Sequence, residues 1–208
     1  MKRATYQEFK AKYKLLSTSE QDILKVLALL IQPVVTGIFL KILYKAEITE
    51  YEGNLLKAKR LQEVLERMST ENFVEFLSAR KCRIKDSFQR HIANEASFDS
   101  RKNIFIQAIQ EFLPVGTNYY HGPGSYEVCL REMQFALLSK NNVKYQEYHN
   151  LAYKYYEVYA KAESPEAYFF FEPLNLELLN NLSEELKSAT LNKALFDAIN
   201  GLKPIDEV

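Results

Sequence analysis

The chain has few of the residues that usually interrupt secondary structure, since its 208 residues include only 6 glycines and 6 prolines. Long segments with helical spacing of apolar residues lie between them, which favours a mainly α-helical protein. Long hydrophobic runs are also lacking. Residues 23–43 come nearest, but Lys25 and Lys41 bracket only about 15 residues that include Pro33, and a membrane span needs about 20. We therefore expect a soluble protein with no membrane span.

Cysteine and histidine are scarce as well. The two cysteines, Cys82 and Cys129, form no C-x-x-C pattern, so no disulfide framework is indicated and a reducing compartment fits best. Residues 1–16 are polar and lysine-rich, unlike a secretory signal. The three histidines share no ligand spacing with each other or with the cysteines, which argues against a zinc site. We expect a cytoplasmic protein without a metal or another cofactor.

The net charge is zero, but it is unevenly distributed. Residues 1–100 hold 17 Lys and Arg against 13 Asp and Glu, and residues 101–208 hold 10 against 14. A basic first half is compatible with nucleic-acid binding. An excess of this size over a hundred residues is modest, however, and solvated helix faces explain it equally simply.

The first half has a recognisable order of elements. Ser17 and Ser19, each followed three residues later by an acid (Glu20 and Asp22), stand in capping-box register before an apolar helical run. Pro33 suits the first turn of the next helix. A polar break, a third helix and an alternating segment follow, so that the predicted order is helices over residues 23–31, 34–43 and 54–68 and then a β-hairpin over 73–85. This prediction turns Val35 and Leu55 toward the core and makes Asp86 the cap of the helix after the hairpin.

The second half predicts one helix after another. Apolar spacing and cap signals indicate helices over residues 104–112, 128–138, 145–159, 164–171, 176–182 and 183–199, with a loop at 114–124. Leu191, Leu195 and Phe196 belong to the apolar pattern of the last helix. The placing of Ala152, Tyr156 and Pro165 is similar to one tetratricopeptide (TPR) repeat. We expect a winged helix-turn-helix domain at 1–96 and an antiparallel, TPR-like helical array at 97–208.

Five segments carry a family resemblance: YKLLS at residues 13–17, EQDIL at 20–24, LALL at 27–30 with Pro33 and Val34, LQEVLERM at 61–68, and CRIKDSF at 82–88. From about residue 6 to 96 the chain resembles the winged-helix region of STAND-class signalling ATPases. In that family the winged helix follows a P-loop domain, leads into helical, often TPR-like, repeats and serves as a regulatory joint. No G-x-x-x-x-G-K-[ST] occurs here, so the resemblance implies a piece of a longer protein or a free-standing relative without the ATPase domain.

Basic residues in the first half are candidates for binding DNA. A winged helix that reads DNA places its third helix in the major groove and its hairpin against phosphates. The candidates are Lys57, Lys59 and Arg60 on the third helix and Arg80, Lys81, Arg83 and Lys85 on the hairpin. Neighbouring carboxylates, Glu63, Glu66, Glu71 and Glu75, would repel phosphate and offer these cations partners within the chain.

Tyrosines recur at helical spacing in the second half: Tyr145, Tyr148, Tyr155, Tyr156 and Tyr159. They form either an inter-helix core or, where they are exposed, a groove for a peptide or partner. One catalytic alternative remains, a nucleophile pair of Cys129 and His121, although a buried cysteine on a helix face is commoner.

Two functions follow as expectations. The first is a non-enzymatic regulatory or protein-interaction module that belongs to a larger signalling or regulatory protein and contacts a protein partner or an adjoining domain. The alternative is a DNA-binding transcriptional regulator that uses the third helix and the hairpin, while the helical array dimerises or senses a ligand.

Overall fold

The structure, a computed structural model, describes residues 3–50, 53–116, 122–171 and 175–199. These residues are mainly helical with one small antiparallel sheet of three strands. The chain divides into two compact units, Met1–Pro114 (the first unit) and Val115–Val208 (the second unit). Within the described ranges, every helix is too short or too polar to cross a membrane.

The first unit contains six helices and all three strands of this sheet. The helices are α1 (Arg3–Leu15), α2 (Thr18–Leu30), α3 (Thr36–Lys45), α4 (Ala58–Thr70), α5 (Asp86–Ser97) and α6 (Lys102–Phe112). The strands are β1 (Val34–Val35), β2 (Val74–Ser78) and β3 (Lys81–Ile84).

Helix α2 is the central helix of this unit. Its capping box is confirmed: the Ser17 side chain accepts a hydrogen bond from the Glu20 amide at 3.4 Å, and the Glu20 carboxylate accepts one from the Ser17 amide at 3.0 Å. Eight of its thirteen residues are buried, so it packs on several sides. The helix ends before Ile31, which has a positive φ of 60°.

The sheet has the order β1-β3-β2, and the predicted hairpin of β2 and β3 is confirmed. The placing of Pro33 in a helical first turn is wrong, because the next residues form strand β1 and pair with β3, Val34 opposite Cys82 and Val35 opposite Lys81. Alternation along a strand then buries Val34 and leaves Val35 exposed, contrary to the prediction.

Helix α4 begins later than the sequence predicts. Gly53, with a φ of 79°, donates its amide to the Glu50 carbonyl in a turn that keeps the following residues extended. Leu55 pairs with Thr49 in an isolated bridge and is 67% exposed, so its predicted place in the core is wrong. Leu56, by contrast, is buried.

The predicted cap of α5 is also wrong. Lys85 occupies the N-cap position without a side-chain hydrogen bond, and Asp86 is the first helical residue. Asp86 instead forms an ion pair with Arg83 at 3.3 Å. A carboxylate in the first turn still favours the helix through its dipole.

Aromatic rings join α1 and α5 to the sheet. Phe9 stacks on Phe88 with ring centroids 4.3 Å apart and meets Phe73 edge-on at 5.5 Å. Helix α5 also packs on α2, where Gln89 donates to the Ala28 carbonyl. The core of the first unit is therefore built on α2, with α5 and the sheet around it.

Helix α6 lies in the first unit, although the sequence assigned it to the helical array after residue 96. It packs against α3, and Lys45 pairs with Glu111 at 2.9 Å between the two helices. Whether residues 1–96 fold alone stays a prediction.

The second unit is helical throughout its described part. Its helices are α7 (Tyr126–Leu138), α8 (Asn142–Tyr155), α9 (Glu157–Ala162), α10 (Pro165–Phe170), α11 (Leu176–Asn180) and α12 (Glu184–Ile199). Eleven of the thirteen residues of α7 are buried, and it packs mainly against α8. The predicted cap at Ser164 with Pro165 in the first turn is confirmed.

The single helix predicted over residues 145–159 is wrong. Helix α8 ends at Tyr155, Tyr156 leaves helical geometry with φ −131° and ψ 35°, and α9 begins at Glu157. Part of the predicted loop, residues 117–121, lies outside the described residues. This includes His121, so the proposed pairing of His121 with Cys129 lies there too.

Candidate nucleic-acid and partner interfaces

The three basic candidates at the start of α4 are all exposed. Lys57 is the N-cap residue, just before the helix, and Lys59 and Arg60 lie in its first turn. They line an open groove together with Leu55 and Glu63. Arg60 bonds to Glu63 at 3.4 Å, whereas Lys57 and Lys59 form no ion pair with any described residue. Two free ammonium groups thus stand at the N-terminal end of α4.

The four basic candidates on the hairpin divide into two pairs. Arg80 and Lys81 are exposed at the turn and have no ion pair within the described ranges. Arg83 is held between Glu75 and Asp86, and Lys85 donates to the Asn72 side chain at 3.1 Å. Among the described residues, the positive charge of the hairpin that has no carboxylate partner therefore lies at its tip and at Lys85, which bonds to a neutral amide.

Carboxylates neutralise much of the remaining positive charge. Arg67, on the exposed side of α4, bonds to Glu71 at 3.4 Å and to Glu20 of α2. Gln62 donates to Glu66 at 2.8 Å, so this side chain is also engaged within its own helix. The surface around α4 and the hairpin carries both signs of charge.

The predicted tyrosine stripe follows the bend between α8 and α9 and does not form one surface. Tyr145 is buried and Tyr148 is half-buried. Tyr156 donates its hydroxyl to the Pro123 carbonyl, and the ring of Tyr155 lies against Gly122. These tyrosines mostly build the core or hold the segment that precedes α7.

The far end of the stripe is its most exposed part, while Tyr155 is 38% exposed. Tyr159 is 62% exposed, although its ring stacks on Tyr126 with centroids 6.3 Å apart. Val158 beside it is 79% exposed. Exposed aromatic and aliphatic side chains of this kind are compatible with a partner contact.

A buried polar cluster that the sequence did not reveal lies between α8 and α10. His149 Nε2 is 2.8 Å from a carboxylate oxygen of Glu166, and the Tyr153 hydroxyl is 3.5 Å from the other oxygen. Burial would raise the pKa of Glu166, but the hydrogen bond and the charge of His149 outweigh it and hold the pKa below its ordinary value. The cluster joins the two helices.

A second hidden network ties α2 to the connection before α6. Lys25 bonds to Asp22 at 3.2 Å and to Asp99 at 2.8 Å, and Arg101 bonds to Asp22 at 2.7 Å and to Asp99 at 3.2 Å. The pairs Lys25–Asp99 and Arg101–Asp22 join residues more than seventy positions apart in the chain. Sequence spacing therefore gave no signal for these two pairings.

Both thiols are buried and chemically protected. Cys82 and Cys129 are each 0% exposed, and burial raises the pKa of each thiol to about 12. A nucleophilic cysteine needs an exposed, stabilised thiolate, so neither residue is suited to that role. Among the described residues, no three His, Cys, Asp or Glu side chains come together to hold a metal ion.

Comparison with known proteins gives no further guide. No family model, curated protein or solved structure matches the chain. The resemblance to STAND-class winged helices therefore stays a prediction, and the surfaces of the two units are the basis for inferring the function.

Proposed function

We propose that the chain is a non-enzymatic regulatory or protein-interaction module in which a winged helix precedes a TPR-like helical array. The element order of the first unit supports the winged helix: α2, β1, α3, α4, β2 and β3, with β1 completing the sheet beside β3. In such a fold α3 and α4 are the helix-turn-helix pair and the turn between β2 and β3 is the wing.

The observation that carries the interaction function is the internal pairing of the basic side chains. Arg60, Arg67 and Arg83 each bond to carboxylates of the same unit. A DNA phosphate would have to displace Glu75 and Asp86 to reach Arg83. A DNA-reading winged helix needs cations that are free to meet phosphates, so this surface suits a protein partner of mixed charge better.

The second unit supports the same proposal. Its short helices pack on one another, α7 on α8, α8 on α9, and α10 on α11 and α12, as in helical arrays whose surfaces bind other proteins. Its one cysteine, Cys129, is buried within α7, which argues against the main catalytic alternative. The resemblance places such a module beside other domains of a larger signalling or regulatory protein, so the partner is a separate protein or an adjoining domain.

Cross-linking of the native chain in an extract of its own cells, followed by mass spectrometry, tests this function. The expected result is one or a few proteins that cross-link to the native chain and not to the heat-unfolded chain. If the native and unfolded chains cross-link to the same proteins in equal amounts, the interaction function is wrong.

The alternative, a DNA-binding regulator, rests on five basic side chains without an ion pair among the described residues: Lys57, Lys59, Arg80, Lys81 and Lys85, whose partner Asn72 is neutral. A shift assay on mixed duplex DNA at two salt concentrations separates the two functions. The proposed function predicts a Kd no tighter than about 10⁻⁵ M at physiological salt, within the range of non-specific binding. Tighter binding that weakens steeply with salt and is lost in K59E/K81E would favour the alternative instead.

A further inference from the structure

Helix α12 leaves three of its larger apolar side chains exposed. Leu191 and Leu195 are 45% and 55% exposed, and the neighbouring Phe196 is 64% exposed. Thr190 and Ala194 are buried on the other side. The sequence assigned these leucines to the apolar pattern of the last helix. A helix at the surface of a finished domain normally has the opposite arrangement, with its apolar stripe inward.

The exposed leucines lie on one face of the helix. Leu191 and Leu195 are four residues apart, and side chains at this spacing are neighbours on a helix surface. They form one ridge of the kind that packs into the groove of a second helix. We call the surface of Leu191 and Leu195 the outer face of α12.

The outer face has an acidic end. Glu184 precedes Leu191 by seven residues, which is about two helical turns, so the two lie on the same side. Glu184 bonds to Lys187 at 3.3 Å, yet its side chain is 90% exposed. Glu185, beside it in the first turn, is exposed as well. Lys187, one turn before Leu191, offsets one of these carboxylates, so two carboxylates and one ammonium leave a net charge of −1 at the N-terminal end of α12.

We propose that the outer face of α12 binds an amphipathic helix of a protein partner, antiparallel to α12, with lysine or arginine in its last turn. The antiparallel arrangement brings the partner's basic C-terminal turn to Glu184 and Glu185. Cations are also favoured at a helix C-terminus by the helix dipole. The proposal rests on the interaction function proposed above and names the chemistry of one partner surface.

A second copy of the chain fits this face less well. In an antiparallel pair of α12 helices, the acidic first turn of one copy meets the last turns of the other. The one cation in residues 190–199 of α12, Lys193, is half-buried and close enough to Glu166 to lower its pKa. Among the described residues, the acidic end would then have no exposed cation opposite it, whereas a partner helix with a basic last turn supplies one.

Two synthetic peptides test the proposal with the full-length chain. Both are amphipathic helices of about 18 residues, long enough to form a helix on binding, with leucines at i, i+3, i+4 and i+7. One has lysines in its last turn and the other has glutamates there. By fluorescence anisotropy, the lysine peptide should bind at least about tenfold more tightly, and added salt should reduce this difference.

Variants locate the binding. The double variant L191E/L195E should weaken binding of the lysine peptide by about tenfold or more, because both anchoring side chains are replaced by charges. E184Q/E185Q should bring the affinities of the two peptides close together. V143E is the matched control: it changes another exposed aliphatic residue of the same unit, in α8, and should leave binding unchanged. Circular dichroism spectra that match wild type show that each variant is folded.

Several outcomes would overturn the proposal. One is that neither peptide binds, and another is that L191E/L195E binds the lysine peptide as tightly as wild type does. A third is that light scattering shows a wild-type dimer that becomes a monomer in L191E/L195E, which would assign the face to a second copy. Peptide binding that appears only after residues 200–208 are removed would assign it to the chain's own C-terminus. A partner that cross-links to L191E/L195E as efficiently as to wild type would refute this inference and would still support the interaction function.

Discussion

Gly122 packs directly against the ring of Tyr155, so that a Cβ atom at residue 122 would lie 2.6 Å from Cδ2 of that ring. Gly122 also has a positive φ of 64°, a conformation that costs an L-amino acid about 1 kcal/mol or more. The neighbouring Pro123 accepts a hydrogen bond from Tyr156. Two tyrosines at the end of α8 thereby hold the segment that leads into α7.

Replacing Gly122 with alanine should destabilise the second unit by about 2–3 kcal/mol, because backbone strain adds to displacement of the ring. The rate of labelling of Cys129 by a thiol reagent in dilute urea measures the opening of that unit. G124A is the control, since a Cβ at residue 124 meets nothing within 4 Å and its φ is not positive. Equal labelling rates in the two variants would contradict the packing described for Tyr155.

The ionic network around Asp99 should make the first unit sensitive to acid. Burial opposes ionisation of this carboxyl group, but hydrogen bonds from Lys25 and Arg101 outweigh it and lower the pKa to about 2. A carboxyl group with a depressed pKa in the folded state stabilises the fold above its unfolded pKa of about 4. This stabilisation is lost as the pH falls from about 4 to about 2.

The difference in pKa corresponds to about 2 kcal/mol of the free energy of unfolding. Solvent screening near the half-exposed Arg101 reduces this contribution to about 1 kcal/mol. Urea unfolding at pH 5 and at pH 2.5 measures it, followed by circular dichroism, whose signal does not depend on thiol ionisation. In D99N the contribution of this residue to the pH dependence should disappear, and stability at pH 5 should fall by about 2 kcal/mol because Lys25 loses a buried partner. An acid response of D99N identical to that of wild type would show that Asp99 is not the titrating group.

The two thiols should be unreactive in the native protein. With a pKa of about 12 and no exposed surface, each thiol is almost wholly protonated at pH 8, where an unfolded cysteine of pKa about 8.5 is partly thiolate. Labelling by a disulfide reagent at pH 8 should be at least about a thousandfold slower in the native protein than in about 8 M urea. The single-cysteine variants C82A and C129A report on the two units separately. Rapid labelling of native Cys129 would instead revive the catalytic alternative.

The tyrosine hydroxyls of the second unit should differ in how much each contributes to the stability of the fold. The buried hydroxyl of Tyr145 has no hydrogen-bond partner in the described structure, whereas that of Tyr126 donates to the Glu163 carbonyl at 2.6 Å. Removing a buried unpaired polar group is neutral or stabilising, and removing a paired one costs about 1 kcal/mol. Y145F should therefore match or exceed wild type in thermal unfolding, and Y126F should fall below it. The reverse order would mean that the Tyr145 hydroxyl has a partner, such as an internal water molecule.

Local signals predicted the elements whose causes are local. The Ser17–Glu20 capping box depends on residues three apart, and it fixed the start of α2 as expected. The alternation after Phe73 predicted the hairpin of β2 and β3. Strand β1 was missed because two residues carry no detectable period, and they become a strand only by pairing with Cys82 and Lys81.

The candidate surfaces were less predictable than the fold. The sequence shows where the basic residues are. Whether each one is ion-paired depends on the residues that folding brings near it, as it brings Glu20 near Arg67. The buried contact of His149 with Glu166 joins two helices and has no local signature. The tyrosines were predicted to lie on one helix. The structure has a break at Tyr156, so that some of them lie in the core and others contact the segment before α7.

By itself the sequence determined that this protein is mainly helical, with a hairpin in its first half, because helix caps and apolar periods act within a few residues of each other. Only the tertiary structure decided which charges pair and which apolar faces remain open. The leucines of α12 show the reason: their spacing is that of a core helix, but exposure is set by what packs against a face, and no neighbour in the chain specifies that.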